Sequence, residues 1–264
     1  MIRHFSMLFI AFALSCTSAL ARNDADTLRV LFIGNSYTYV NNLPELVTNI
    51  AAAADGSAQH VVSHRSFTPG GCTLQRHLTN EDLIKSLKHD KWDYVVVQEY
   101  STYPAKSSRT VLENTYPYAK QICELAKQGN DNCKVIFYMT WGHENGSIEP
   151  TPGYTLADNY EGMQQRLISS YLEMAHENNA WCAPVGLAWQ QVRHAHPEIG
   201  LYSKDHSHPS INGSYLAANV IYSTILQQEF NSDFTSTLDP EVARYLQQLA
   251  QRTVLDNRIL LNLK

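Results

Sequence analysis

The sequence predicts a three-layer αβα sandwich around a five-stranded parallel sheet. Three observations carry that expectation: short apolar runs, longer amphipathic stretches between them, and polar residues gathered just after the runs. Runs of strand length alternating with helix-length stretches are the pattern of parallel strands joined by crossover helices.

Strands are expected at residues 28–33, 60–67, 94–98, 135–140 and 181–185, each an apolar run bounded by polar or turn-forming residues. Between them, 43–54 reads as a helix that carries Pro44 in its first turn, where a missing N–H is harmless. Residues 74–87, 107–127 and 156–178 carry apolar positions at helical spacing. Two further helices are expected after the fifth strand, 211–228 and 240–254, the second capped by Asp239.

At the amino terminus, Arg3 precedes an apolar run over 7–14 that is too short to span a bilayer and ends in small residues. This is the pattern of a signal peptide over 1–21, with Ala19-Leu20-Ala21 as cleavage site, leaving one domain over 22–264 and no transmembrane segment in the mature chain. An alternative is a lipoprotein signal at Ala13-Leu14-Ser15-Cys16, which would anchor the chain through Cys16. Both routes imply export, to the periplasm or beyond.

The chain has 264 residues, 44% of them hydrophobic, enough for one sizeable core, and shows no linker or repeat. Removing Arg3 from the 20 basic residues leaves 19 against 25 acidic, a net charge of −6 with no basic run. Nucleic acid is therefore not an expected partner, because neutralising phosphates takes clustered Lys or Arg. Past the signal, Cys72, Cys123, Cys133 and Cys182 remain. A disulfide between Cys123 and Cys133 is one expectation for an exported chain, and four buried thiols are the other.

In parallel sheets of this kind ligands bind beyond the carboxyl ends of the strands. Those positions read Gly34-Asn35-Ser36, Gly70-Gly71, Gln98-Glu99, Trp141-Gly142-His143 and the loop 205–210. A nucleophilic serine needs an exposed hydroxyl at a turn, a base and oxyanion donors. Ser36 meets the first need, although Gly-Asn-Ser is also ordinary turn chemistry. In Asp205-His206-Ser207-His208-Pro209-Ser210 a carboxylate stands three residues before a histidine. At that spacing it can hold Nδ1 of His208 and leave Nε2 free to take a serine proton. A turn or capping role for Asp205, or a metal pair of His206 and His208, are the plainer readings. The pair is disfavoured because no third ligand recommends itself, so no metal site is expected.

The order Ser36, glycine, amide residue, then Asp205-x-x-His208-Pro209 resembles the SGNH (GDSL-type) hydrolase superfamily in its carbohydrate-esterase-like branch, over residues 28 to about 222. The resemblance implies a flavodoxin-like αβα fold and a serine esterase with Ser36, His208 and Asp205 as catalytic triad. It also implies an oxyanion hole from the N–H groups of Ser36 and Gly71, with Gly70 as the nearby alternative, and a side-chain amide. The usual Gly-Asp-Ser is here Gly34-Asn35-Ser36. Where the family usually has Gly-x-Asn-Asp this sequence has Gln98-Glu99-Tyr100-Ser101, so the amide role passes to Gln98. Glu99, Trp141 and Gly70 are further candidates for lining the substrate. No cofactor is implied, and the expected substrate is a small-molecule or carbohydrate ester of a short acyl group such as acetyl. A lipase or thioesterase acting on longer chains, or a binding domain without activity, are the alternatives.

Overall fold

A computed structural model describes residues 27–149 and 152–263 of the chain. The expected signal peptide, its cleavage site and Cys16 lie outside the described residues.

The sheet has the order β2-β1-β3-β4-β5 with every pair parallel. β1 (Thr27–Ile33) sits between β2 (Val61–Phe67) and β3 (Tyr94–Val97), followed by β4 (Lys134–Tyr138) and β5 (Trp181–Ala183). Register brings Ile33 opposite both Phe67 and Val97, so the three strands end level with one another. β1, β3 and β4 are buried on both faces, as the Val/Ile/Phe runs of their sequences require.

The helices are α1 (Ser36–Tyr39), α2 (Leu43–Ala52), α3 (Leu74–His77), α4 (Glu81–His89), α5 (Ser108–Asn114), α6 (Tyr116–Gly129), α7 (Tyr160–Glu177), α8 (Val185–Ala195), α9 (Ile211–Leu226) and α10 (Pro240–Leu255). α2, α8, α9 and α10 pack together in one layer, while α4, α5, α6 and α7 form the other. The chain is therefore the expected αβα sandwich. None of its described helices is long and apolar enough to cross a membrane.

Local chemistry explains where the helices depart from expectation. The helix expected over 74–87 is two, because Asn80 accepts the Leu83 N–H with its side chain and starts α4 afresh. The one expected over 107–127 breaks at Thr115, which has non-helical dihedrals and precedes Pro117 in the first turn of α6. α7 starts only at Tyr160, where Asn159 caps it. The fifth strand is two residues shorter than expected. Val185, expected in it, opens α8, a helix that the sequence reading missed.

The expected Cys123–Cys133 disulfide is absent: all four described cysteines are free and buried. The turn between the two is held instead by Asn130, whose side chain donates to Trp92 O and accepts from Asn132 N, and by Lys127, which donates to Asp131 O and Cys133 O. Burial pushes the Cys123 and Cys133 thiols up to about 12.

Candidate active site

The order 2-1-3 places a topological switch point between β1 and β3, so a crevice is expected at their carboxyl ends. Ser36 stands three residues past the end of β1, as the first residue of α1. Gly34 makes the turn possible, because a Cβ there would lie 2.4 Å from Thr38 Oγ1 and 2.6 Å from Gln98 Oε1. Its carbonyl accepts from Nε2 of buried His77 at 2.7 Å. Burial, only partly offset by that bond, lowers the His77 pKa. Asn35 then joins three loops: its side chain accepts from Tyr37 N (3.2 Å) and donates to Cys72 O (3.0 Å), and its N–H donates to Gln98 Oε1 (2.9 Å).

The second element is the loop from Leu201 to Ser210. Ser203 N donates to His208 O, Ser210 N donates to Leu201 O, and Ser210 caps α9, so both ends of the loop are tied. Within it Asp205 Oδ1 accepts the N–H groups of Ser207 (3.1 Å) and His208 (2.9 Å), and Oδ2 accepts from His208 Nδ1 at 2.5 Å. Desolvation raises the Asp205 pKa, but the bonds from the His208 ring and the two N–H groups outweigh it and hold the carboxyl below its usual range. With Nδ1–H donated to Asp205, Nε2 is left as an acceptor, and Ser36 Oγ lies 2.8 Å from it. The structure thus brings Ser36, His208 and Asp205 into one line across 172 positions of sequence.

The loop is gripped from behind. Ser207 Oγ hydrogen-bonds the Tyr37 hydroxyl at 2.6 Å, and Ser207 O accepts from Trp141 Nε1 at 3.0 Å. His206, at positive φ, places Nδ1 2.6 Å from Glu144 Oε2, and Glu144 N donates to His206 O. Asn41 donates to Pro209 O, which ties the segment after the nucleophile to the same loop. The contacts of Tyr37 and Glu144 with this loop carry no sequence signal, since each meets it from a distant part of the chain.

Burial constrains two of the expected roles. Gln98 is fully buried, its Oε1 accepts from Asn35 N and Thr38 Oγ1, and its amide donates to Glu99 O. Its Oε1 and one of the two N–H bonds of its Nε2 are thus engaged at the strand-end turns, which draws the amide toward the interior. Trp141 is likewise fully buried, stacked between Tyr37 (4.7 Å) and Trp189 (3.8 Å), so it supports the loop and does not touch substrate. Gly70 and Gly71 are exposed. Gly71 takes φ +64, a conformation that glycine adopts without strain. Among the hydrogen bonds of the described residues, neither the Ser36 nor the Gly71 N–H has a protein acceptor.

Glu99 is 1% exposed rather than lining the cleft, and its Oε1 accepts from Leu74 N and Tyr100 N. Burial pushes its carboxyl up to about 7, while burial pulls the His143 imidazole down to about 4. The folded chain therefore holds an extra proton on Glu99 between its unfolded value of 4.5 and about 7, which lowers stability as pH rises through that window. His143 acts oppositely, adding stability as pH rises from about 4 to 6.5. Glu99→Gln keeps an acceptor for both N–H groups and removes one of the two slopes. Relative to wild type its stability should improve by about 3 kcal/mol between pH 4.5 and 7, measured by urea unfolding across that range. A difference that does not change with pH would mean that Glu99 titrates as an ordinary carboxylate.

No protein-family model and no curated protein matches the sequence. Solved structures do match. A protein of Slackia heliotrinireducens assigned to the SGNH hydrolases is 26% identical, with a TM-score of 0.59 over 75% of this chain and 99% of that one. A DUF4886-family protein from Bacteroides uniformis is 20% identical, with a TM-score of 0.62 over 87% of this chain and 95% of that one. An acetylxylan esterase from Geobacillus stearothermophilus is 17% identical, with a TM-score of 0.52 over 74% of this chain and 92% of that one. The last two are likenesses of fold. Given the sheet order, the serine, histidine and aspartate aligned at its carboxyl edge, and a likeness that spans nearly all of the Slackia protein, this chain belongs to the SGNH hydrolase superfamily.

Proposed function

We propose that the chain is an exported serine esterase that removes short acyl groups, acetyl among them, from small-molecule or carbohydrate alcohols. The observation that carries this reading is the 2.8 Å contact between Ser36 Oγ and the free nitrogen of an imidazole whose other nitrogen is held by Asp205. In the first half-reaction Ser36 Oγ attacks the ester carbonyl as its proton passes to His208 Nε2. The imidazolium is stabilised by Asp205 and returns the proton to the departing alcohol oxygen as the C–O bond breaks. Water then enters, loses a proton to His208, attacks the acyl-serine and releases the carboxylic acid as Ser36 regains its proton.

The developing oxyanion is taken by the N–H groups of Ser36 and Gly71, each worth about 3 kcal/mol of barrier. The proton steps as written use only Ser36, His208 and Asp205. Support for the carbohydrate side of the reading comes from the fold shared with the acetylxylan esterase.

A fluorophosphonate probe should modify Ser36 and no other serine, as read by peptide mass spectrometry. The same preparation should hydrolyse p-nitrophenyl acetate faster than p-nitrophenyl palmitate. Labelling elsewhere would remove Ser36 from the mechanism, and a preference for palmitate would replace the short-chain reading with a lipase.

A further inference from the structure

The four residues of α1 divide between two faces. Tyr37 and Thr38 are buried, whereas Ser36 and Tyr39, three positions apart, share the outward face. The nucleophile and Tyr39 therefore look out over the same surface, about one helical turn apart. Tyr39 is 49% exposed, and it is the one large exposed aromatic among the described residues, the others being aliphatic. Neither its ring nor its hydroxyl has a hydrogen-bond or ring partner there.

Its position relative to the Gly70-Gly71 turn gives this exposure a use. A Cβ on Gly70 would lie 3.6 Å from the Tyr39 hydroxyl, and one on Gly71 would lie 4.0 Å from Tyr100 Cε2. The turn that carries the Gly71 N–H thus runs between two tyrosine rings. One is fixed: Tyr100 donates its hydroxyl to Glu149 at 2.9 Å and meets Tyr103 edge-on at 5.3 Å. The other, Tyr39, is free.

We infer that Tyr39 is a stacking platform for the pyranose ring that bears the scissile ester, with Tyr100 as the fixed wall across the Gly70-Gly71 turn. The inference rests on the esterase reading and narrows its alcohol to a sugar. A pyranose has an apolar C–H face and a hydroxylated rim, so it can cover an aromatic ring on one side while its hydroxyls stay in water. An open, half-exposed ring suits that ligand. A long acyl chain gains only where it is enclosed on several sides. Both neighbouring glycines lack side chains, which leaves room for a ring to approach the nucleophile over the turn.

The test compares a cyclic with an acyclic acetate, peracetylated methyl glucopyranoside against glyceryl triacetate, by released acetate. Tyr39→Ala should lower kcat/KM on the sugar about 10-fold, through KM, with a markedly smaller loss on the triglyceride, and Tyr39→Phe should restore the sugar activity. Equal losses on the two substrates, or no loss on the sugar, would overturn the platform while leaving the esterase standing. If wild type hydrolyses neither acetate, the esterase reading itself fails. Calorimetric binding of the sugar acetate to Ser36→Ala and to Ser36→Ala/Tyr39→Ala then decides the platform separately: weaker binding in the double variant supports it, and equal or undetectable binding in both overturns it.

Discussion

Ser36→Ala should lower kcat on p-nitrophenyl acetate by at least about 10⁴-fold, and Asp205→Asn by a similar factor, with the fold of both variants intact. The serine loss follows from chemistry, since among the described residues no other hydroxyl is hydrogen-bonded to His208 Nε2. The aspartate loss follows from the tautomer. Asp205 is half exposed, so exchanging it leaves no buried charge unpaired, and an Asn oxygen can still accept from Ser207 N and His208 N. Its NH₂ group, however, would face Nδ1 and favour the proton on Nε2, where it can no longer accept from Ser36. Initial-rate measurements with active-site titration separate a slower enzyme from a smaller active fraction. A loss below about 10-fold in Asp205→Asn would show that the carboxylate is a loop-forming residue and little more.

The second large effect is expected at Trp141. Removing an indole that is fully buried and stacked on both faces should cost about 3–5 kcal/mol, a fall of about 10 °C in Tm. It should also lower kcat, because Ser207 O, between Asp205 and His208, loses its donor and Tyr37 loses the ring that it packs on. Trp141→Phe keeps one ring in the stack but removes the N–H donor and part of the indole volume, so its stability loss should be smaller, about 1–3 kcal/mol. If Trp141→Ala retains full kcat at a temperature where it is folded, the loop is held adequately by Tyr37 and Glu144 alone. Thermal unfolding and steady-state kinetics on the same samples decide this.

Comparing these residues with their sequence signals shows what a one-dimensional reading can carry. The strands were legible because doubly buried parallel strands are apolar throughout, and the Asp205 to His208 spacing was legible because its geometry is local. Side-chain direction at the strand ends was not. Gln98 and Trp141 both follow strands at the ligand-binding edge, but position there does not say whether a side chain faces the cleft or the interior, and a shift of one residue reverses it. At Gln98 the partners Asn35 and Thr38, some sixty positions earlier, draw the amide inward. The helix breaks at Asn80 and Thr115 had local signals, an N-cap residue and a following proline, which apolar periodicity overrode. α8 was hidden because the apolar run of β5 continues into its first residue, with only Pro184 marking the change.

The four sequestered thiols have a practical bearing on how this protein matures. With Cys72, Cys123, Cys133 and Cys182 free and buried, the architecture of the described residues holds no cross-link for an oxidising environment to supply. Dithiothreitol in a refolding or assay buffer leaves its architecture as it is, and maleimide reagents find little to react with until the chain opens.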